Sequence, residues 1–290
     1  MGPRIAVTGA TGTVGAAVLD ALAGRRVAVR ALSRHPGVPG GEGVPTTTAT
    51  AERVRFSFTD PTSWAAAFDD VESLFLVRPP QLANVARDLL PAVAAAREAG
   101  VRRIVFLSVL GAQHNPLLPH RRVERWLETS GTAATSLRAG NFMQNLTGVH
   151  AADIRLRDQL VVPAGRAAMS YVDARDVAAL AAACLTGTAP TRGGWDVTGP
   201  AAVTHDEVAA ALSRALGRTI TYTRPSLPRY WVHARRTRMS AGTTAVTSAL
   251  YTLARVGVGS RVGDDLGGVL GRAPRDIDEF ARDHRAVWIP

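Results

Sequence analysis

The chain has 290 residues, 46% hydrophobic and 20% charged, a globular mixture long enough for two domains or for one α/β domain with a smaller appendage. All 34 basic residues are arginine and the net charge is +10, so Schiff-base chemistry and a P-loop of the usual form, both of which need a lysine, are excluded. The single Cys184 excludes an intramolecular disulfide and a cysteine-built zinc cluster, and no other residue set reads as a metal site.

The arginines are spread along the whole chain, and the densest cluster, Arg235-Arg236-Thr237-Arg238, is not interleaved with aromatics. That distribution argues against nucleic acid as a partner despite the charge. The start, MGPRIAVTGATG, lacks the basic flank and apolar core of a signal peptide, and no run approaches the length of a membrane span. The expectation is a cytoplasmic protein that acts on a small molecule and not at a membrane.

In chain order, RIAVT at 4–8 reads as a strand, and apolar residues at 14, 18 and 22 predict a helix stopped at Gly24. A second strand is expected at 26–32, then a Gly- and Pro-rich loop at 35–45, and a third strand, RVRFSF, at 53–58. A short helix at 64–68 and a buried strand at 73–77 follow. Positions 82, 85, 89, 93 and 96 mark one helical face, with Pro91 predicting a kink. RRIVFLS at 102–108 is the fifth strand, and Pro119 opens a helix over 119–129. TSLRAG at 135–140 is the sixth strand, and the Ala-rich run around Cys184 reads as a packed helix. Further on, strands are expected at 195–199 and 220–224 and a capped helix at 204–217, followed by Gly-punctuated helices. Alternating strands and helices imply right-handed crossovers and a parallel sheet covered on both faces. The reading is a Rossmann-type doubly wound α/β domain over residues 1–145, with a returning strand near 195–199, and a smaller α/β substrate-binding part over 146–290.

Gly9, Gly12 and Gly15 follow the first strand as G-x-x-G-x-x-G and open the first helix. A dinucleotide site needs glycine there for a tight turn, for close backbone approach to a pyrophosphate, and for helix–strand packing. The helix then offers its free N–H groups and positive dipole end to phosphate. An NAD site would carry a carboxylate at the end of the second strand, yet no acidic residue occurs between Arg25 and Gly41. Ser33 and Arg34 stand in its place, and a guanidinium grips a 2′-phosphate through two parallel hydrogen bonds. The cofactor is therefore read as NADP(H).

The segments TGATGTVG, ALSRHPG, FTDP, FLVRPP, LSVLGA, LETSGTAATSLRAGNFMQN and SYVDARDVA together resemble the NmrA-like branch of atypical short-chain dehydrogenases/reductases, relatives of quinone reductases and isoflavone-reductase-like enzymes. The resemblance runs from residue 4 to about residue 225. It implies that Thr11, Gly12, Thr13 and Val14 wrap the pyrophosphate and that Arg34 binds the 2′-phosphate. It also implies Asp60 near the adenine, Val77, Arg78 and Pro79 along the ribose, and Ser108 and Val109 beside the nicotinamide. Gly140, Asn141, Phe142 and Asn145 would border the substrate.

The Tyr-x-x-x-Lys dyad of classical members is absent, because there is no lysine. The lookalike Tyr171-Val-Asp-Ala-Arg175 falls in a segment where the family has a structural turn, and an arginine is too basic to exchange protons. His120 stands where isoflavone-reductase-like relatives carry a catalytic lysine and some quinone-reductase relatives a histidine. It lies four residues before Glu124 and so on the same helical face. Proton donation by His120, positioning of cofactor or substrate, and no role are the three alternatives. His205 reads as part of a helix N-terminus, and Asp173 and Asp176 as turn and cap residues. The expected function is an NADPH-dependent reductase of a small carbonyl, quinone, enone or imine compound. The alternatives are a non-catalytic NADP(H)-binding redox sensor and a lyase or isomerase that keeps the cofactor fold.

Overall fold

The computed structural model describes residues 4–36, 51–189, 193–255, 257, 259–263 and 266–289; most of the expected Gly/Pro loop at 35–45 lies outside the described residues. In chain order the elements are β1 (Arg4–Val7), α1 (Thr13–Leu22), β2 (Ala28–Ser33), β3 (Glu52–Arg55), α2 (Trp64–Phe68), β4 (Ser73–Val77), α3 (Val85–Asp88), α4 (Leu90–Glu98), β5 (Arg103–Val109), α5 (Pro119–Thr129) and β6 (Ala133–Ala139). They continue with β7 (Asn141–Phe142), α6 (Ala151–Arg157), β8 (Gln159–Leu160), β9 (Ala168–Val172), α7 (Ala174–Thr186), β10 (Gly194–Val197) and β11 (Ala202–Thr204). The last are α8 (His205–Leu216), β12 (Thr221–Tyr222), α9 (Leu227–Arg236), α10 (Ala241–Arg255), α11 (Gly267–Leu270) and α12 (Ile277–Asp283).

The chain divides into two compact units: residues 1–139, 174–197 and 264–272 form one, and residues 140–173, 198–263 and 273–290 the other. A single boundary near residue 145 does not describe this division. The cause is α7 and β10, whose apolar faces complete the first unit after the chain has already contributed to the second. Nine of ten buried side chains on α7 are apolar or cysteine, and α7 lies against α1 and against β4 and β5.

The first unit is an all-parallel seven-stranded sheet in the order β3-β2-β1-β4-β5-β6-β10, a Rossmann-like doubly wound arrangement. Strands buried on both faces read as near-continuous apolar runs, as in the SLFLV of β4, four of whose five residues are buried. One face packs Leu32, Leu74, Leu76, Ile104 and Phe106 against α2 to α5, with Val123 and Leu127 of α5 completing that core. The opposite face is covered by α1 and α7. Strand order reverses between β1 and β4, so the crevice at their carboxyl ends is where such a sheet receives a ligand.

The kink expected at Pro91 is a full break. The helical stretch divides into α3 and α4 at Leu89, whose φ of −127° is not helical, and Pro91 falls in the first turn of α4. There its missing N–H has no helical bond to lose, and a continuous helix would drive its ring into the carbonyl of Arg87.

The second unit pairs β11-β9-β7 and, separately, β12-β8 around a core that includes Met143, Leu160, Tyr171, Leu212, Phe280 and Trp288. α8 opens on a full capping box: the Thr204 hydroxyl accepts from the Glu207 N–H while the Glu207 carboxylate accepts from the Thr204 N–H. Tyr171 and His205 are both buried, with the tyrosine hydroxyl and histidine Nε2 2.9 Å apart, and His205 stacks on Tyr222 at 5.2 Å. His150 Nε2 lies 3.0 Å from the Tyr251 hydroxyl. Burial pushes His205 down to about 3 and His150 to about 4, from an ordinary 6.5. The folded chain thus keeps both rings neutral where the unfolded chain protonates them. Between about pH 6.5 and 4 the unfolded state binds more protons, so stability falls as pH falls. Thermal melts should show Tm dropping from pH 7 to pH 4.5, and the double substitution His150→Gln/His205→Gln should flatten that drop while lowering Tm at pH 7.

Candidate functional site

The first β–α turn is built by backbone proximity. Gly9 has φ +62°, and the Gly12 N–H closes the turn on the Gly9 carbonyl at 2.9 Å. A Cβ on Gly15 would fall 2.1 Å from that same carbonyl oxygen, so only glycine lets α1 approach so closely. Thr8 ties the turn to the neighbouring strand: its hydroxyl donates to the Phe75 carbonyl at 3.0 Å and accepts from the Val77 N–H at 2.8 Å. Gly12 caps α1 with no side-chain hydrogen bond, and Gly9, Thr11, Gly12 and Thr13 are exposed. The first-turn N–H groups of α1 are therefore open to an anionic ligand.

Beside this turn lies a cleft of about 250 Å³ lined by Gly9, Thr11, Leu32, Ser33, Arg34 and Pro79, with the 56–59 segment, Gln81 and Leu82 completing it. Its walls are apolar where Leu32, Phe56, Phe58, Pro79 and Leu82 meet. Phe56 and Phe58 pack edge to face at 4.8 Å. Arg34 lies exposed at the rim, next to Ser33. Of the residues expected to hold a cofactor, the structure brings Gly9, Thr11, Ser33, Arg34 and Pro79 to this cleft, with Gly12, Thr13, Val14 and Gly15 at the adjoining helix start. Val77 packs against the turn, 3.3 Å from where a Gly9 Cβ would be.

Asp60 is not among the cleft's lining residues. Its carboxylate accepts from the Thr62 N–H at 3.2 Å and the Thr62 hydroxyl at 2.6 Å, and it pairs with Arg55 at 2.9 Å. The Thr62 hydroxyl holds its carboxyl below the usual range, with the Arg55 guanidinium adding to this. Ser57, Phe58 and Thr59 line the cleft in its stead. The sequence carried a signal for them: in RVRFSF, alternate positions share a face, which puts two aromatics at the carboxyl end of a strand.

Ser108 is 1% exposed, and its hydroxyl donates to Glu124 Oε1 at 2.7 Å. The register explains this. Ser108 of β5 lies opposite Arg138 of β6, and Arg138 lies opposite Asp196 of β10, so the three side chains form one row across the sheet. Glu124, also 1% exposed, descends onto the row from α5 and accepts from Arg138 Nε at 3.0 Å and Nη2 at 3.1 Å. Arg121 adds a 3.3 Å contact, and Arg138 reaches Asp196 at 3.8 Å. The Ser108 hydroxyl is thus committed to the network and not free to meet a substrate, while Val109 is partly exposed at the strand's end.

One turn before Glu124, His120 sits half-buried with its ring 6.1 Å from Phe106. Phe106 and Ser108 share a face of β5, which sets His120 and Glu124 over successive positions of that strand. Burial, reinforced by the positive charge of Arg78, pushes His120 down to about 4. At neutral pH its imidazole is neutral, able to donate a ring N–H but not as an imidazolium.

The remaining expected residues belong to the second unit. Gly140 packs where a Cβ would lie 2.4 Å from the Ser170 carbonyl. Asn145 Nδ2 donates to Asn141 Oδ1 at 3.0 Å, and Asn141 and Phe142 are partly exposed on β7. Tyr171 is buried and its hydroxyl faces His205, and burial raises its pKa, which fits a core role. Asp173 accepts from Gln144 at 2.9 Å. In the first unit, Asp176 accepts from Arg272.

The NmrA-like family model matches residues 1–233. An NAD(P)H azoreductase from Xenophilus azovorans is 31% identical over 98% of this chain and 99% of its own. A (4-alkanoyl-5-oxo-2,5-dihydrofuran-3-yl)methyl phosphate reductase from Streptomyces griseus is 32% identical over 99% of each chain. Among solved structures, an NADPH-dependent quinone oxidoreductase from Escherichia coli superposes with a TM-score of 0.79 at 25% identity, covering 96% of this chain and 98% of its own.

The buried row makes a stability prediction. Glu124→Ala leaves Arg138 without its bidentate partner, and removing one member of a buried ion pair costs about 3–5 kcal/mol. Urea unfolding of the variant should show a loss of that order, and an unchanged midpoint would mean that the network contributes nothing.

Proposed function

The chain belongs to the NmrA-like family, and on that premise we propose that it is an NADPH-dependent reductase of a small conjugated carbonyl, quinone, enone or imine compound. The observation that carries the reading is the cleft at the β1–β4 crevice. It joins open first-turn amides, an apolar slot for a base, and Arg34 at a rim where no carboxylate stands among the described residues. The residues present fit a dinucleotide: the amides from Thr13 to Gly15 would meet the pyrophosphate, Phe58 and Leu82 the adenine, and Ser33 with Arg34 the 2′-phosphate. No helix among the described residues is long and apolar enough to cross a membrane.

The reductase relatives support the chemistry. One is named as an NAD(P)H azoreductase and the other as a reductase of a (4-alkanoyl-5-oxo-2,5-dihydrofuran-3-yl)methyl phosphate, and both align over nearly their whole length. The bound nicotinamide would supply hydride; the protein orients it and the acceptor and keeps water out. His120, neutral at working pH, would direct its N–H at the oxygen on which charge develops, and the Glu124 row anchors the helix that carries it.

Two outcomes follow. Arg34→Ala should weaken NADPH binding far more than NADH binding, measured by titration of each; equal losses remove the basis for preferring NADP. With wild type and a quinone and enone panel, kcat/KM should be flat in its His120 dependence from pH 5.5 to 8, because the ring charges only near pH 4. His120→Ala should lower kcat by about 10²-fold or more. An inflection near pH 6.5 that disappears in His120→Ala would contradict the neutral role. Tight NADPH binding with no oxidation on any acceptor would overturn the reductase reading in favour of a nucleotide sensor.

A further inference from the structure

Arg78 directly follows β4, at the carboxyl end where the strand order reverses. Its guanidinium is half-buried, and no carboxylate pairs with it among the described residues. Nη1 donates to three carbonyls of its own loop, those of Pro79 at 3.1 Å, Pro80 at 3.3 Å and Leu82 at 3.1 Å. Nε is buried and has no acceptor. Elsewhere in the same unit the contrast is plain: Arg30 meets Glu52 at 2.9 Å, and Arg138 meets Glu124.

A half-buried cation without a counter-charge is costly, and burial accordingly pushes the Arg78 guanidinium below its ordinary range. The sheet topology and the loop clamp nevertheless hold it in the crevice. Its field reaches His120; on α5, Arg121 and Glu124 are engaged with each other and with Glu128 and Arg138, while Arg122 and Arg125 are exposed to solvent. Phe106 presents an apolar ring to the same histidine from β5. Among the described residues Arg78 is thus a half-buried cation without a carboxylate partner, and its charge is felt at His120.

We infer that Arg78 holds the negative charge that reduction places on the acceptor's oxygen, so that the preferred substrates are enones and quinones, whose reduction passes through an enolate or phenolate. This rests on the reductase reading above. Hydride from the reduced nicotinamide forms a C–H bond at the electron-poor carbon, and the nicotinamide is oxidised to NADP⁺. The π pair of the acceptor's conjugated double bond shifts along the conjugation onto the carbonyl oxygen, which becomes an oxyanion. Arg78 keeps its protons throughout and binds the oxyanion through charge-assisted N–H···O bonds. Water then supplies the proton that completes the product. His120 contributes a second, neutral donor.

The test uses a stable oxyanion, 4-nitrophenol, whose phenolate is coloured. Titrated into the full-length protein with NADP⁺ present, wild type should bind the phenolate in preference to the phenol. Arg78→Gln should weaken phenolate binding by about 10-fold or more, the scale of one charged hydrogen bond, while NADP⁺ affinity stays within about 2-fold. The kinetic counterpart is a fall in kcat of about 10²–10³-fold with the KM for NADPH little changed. Should Arg78→Gln not fold, Arg78→Lys decides. It keeps the charge but not the guanidinium fork, so it should retain NADP⁺ binding and show phenolate binding reduced below wild type. Loss of NADP⁺ affinity with phenolate binding intact would assign Arg78 to a cofactor phosphate and overturn the inference, as would wild type that binds no phenolate. Arg78-dependent phenolate binding in a protein that oxidises no NADPH would sink the reductase reading alone and leave the oxyanion site standing.

Discussion

In the first unit, α1 packs tightly against the turn that precedes it. Gly15 brings the helix to where a single methyl group would meet the Gly9 carbonyl at 2.1 Å. This contact has no side chain in it, yet it sets the direction of α1, leaves the first-turn amides uncapped, and fixes them beside the crevice between β1 and β4. Thr8 then ties the end of β1 to Phe75 and Val77, adding a side-chain link between the two strands that frame the crevice. A helix N-terminus left open at a topological switch point is a standing demand for an anion, and the apolar slot between Phe58 and Leu82 adds room for a base.

Charge elsewhere in that unit is arranged by contrast. The row of Ser108, Arg138 and Asp196, sealed by Glu124, is internally paired and largely buried, which suits it to orienting α5. Among the described residues the Arg78 side chain bonds only to carbonyls of its own loop, and its charge helps keep His120 neutral. One half of the α5 environment is therefore locked and the other is left electrostatically unsatisfied.

Much of the first unit was legible in the sequence because its signals are local. The glycine spacing, the apolar runs of β4 and β5, and Pro119 at the start of α5 each act within one turn or one strand, and the helices at 64–68 and 119–129 begin and end where composition predicts. Pro91 was correctly read as a disturbance, but whether it kinks or breaks depends on packing around Leu89. What was not legible is long-range. Asp60 falls just beyond Thr59 of the cleft lining, and its carboxylate is taken up by Arg55 and Thr62, which the sequence does not show. The Ser108 hydroxyl looks available until the register sets Arg138 and Glu124 over it. The second unit was the least readable, since β7, β8 and β12 are two-residue strands with no periodicity to detect, and the histidines at 150 and 205 are core residues only because three tyrosines close around them.

Competition for bound NADPH tests the proposed cofactor site most directly, because in that proposal the adenosine end of the nucleotide would occupy the cleft. With NADPH fluorescence as the signal, 2′,5′-ADP should displace the cofactor at a far lower concentration than 5′-ADP, as a 2′-phosphate site at Ser33 and Arg34 requires. Equal potency of the two nucleotides, or displacement by neither, would contradict a 2′-phosphate site at Arg34 and with it the assignment of this cleft to NADPH.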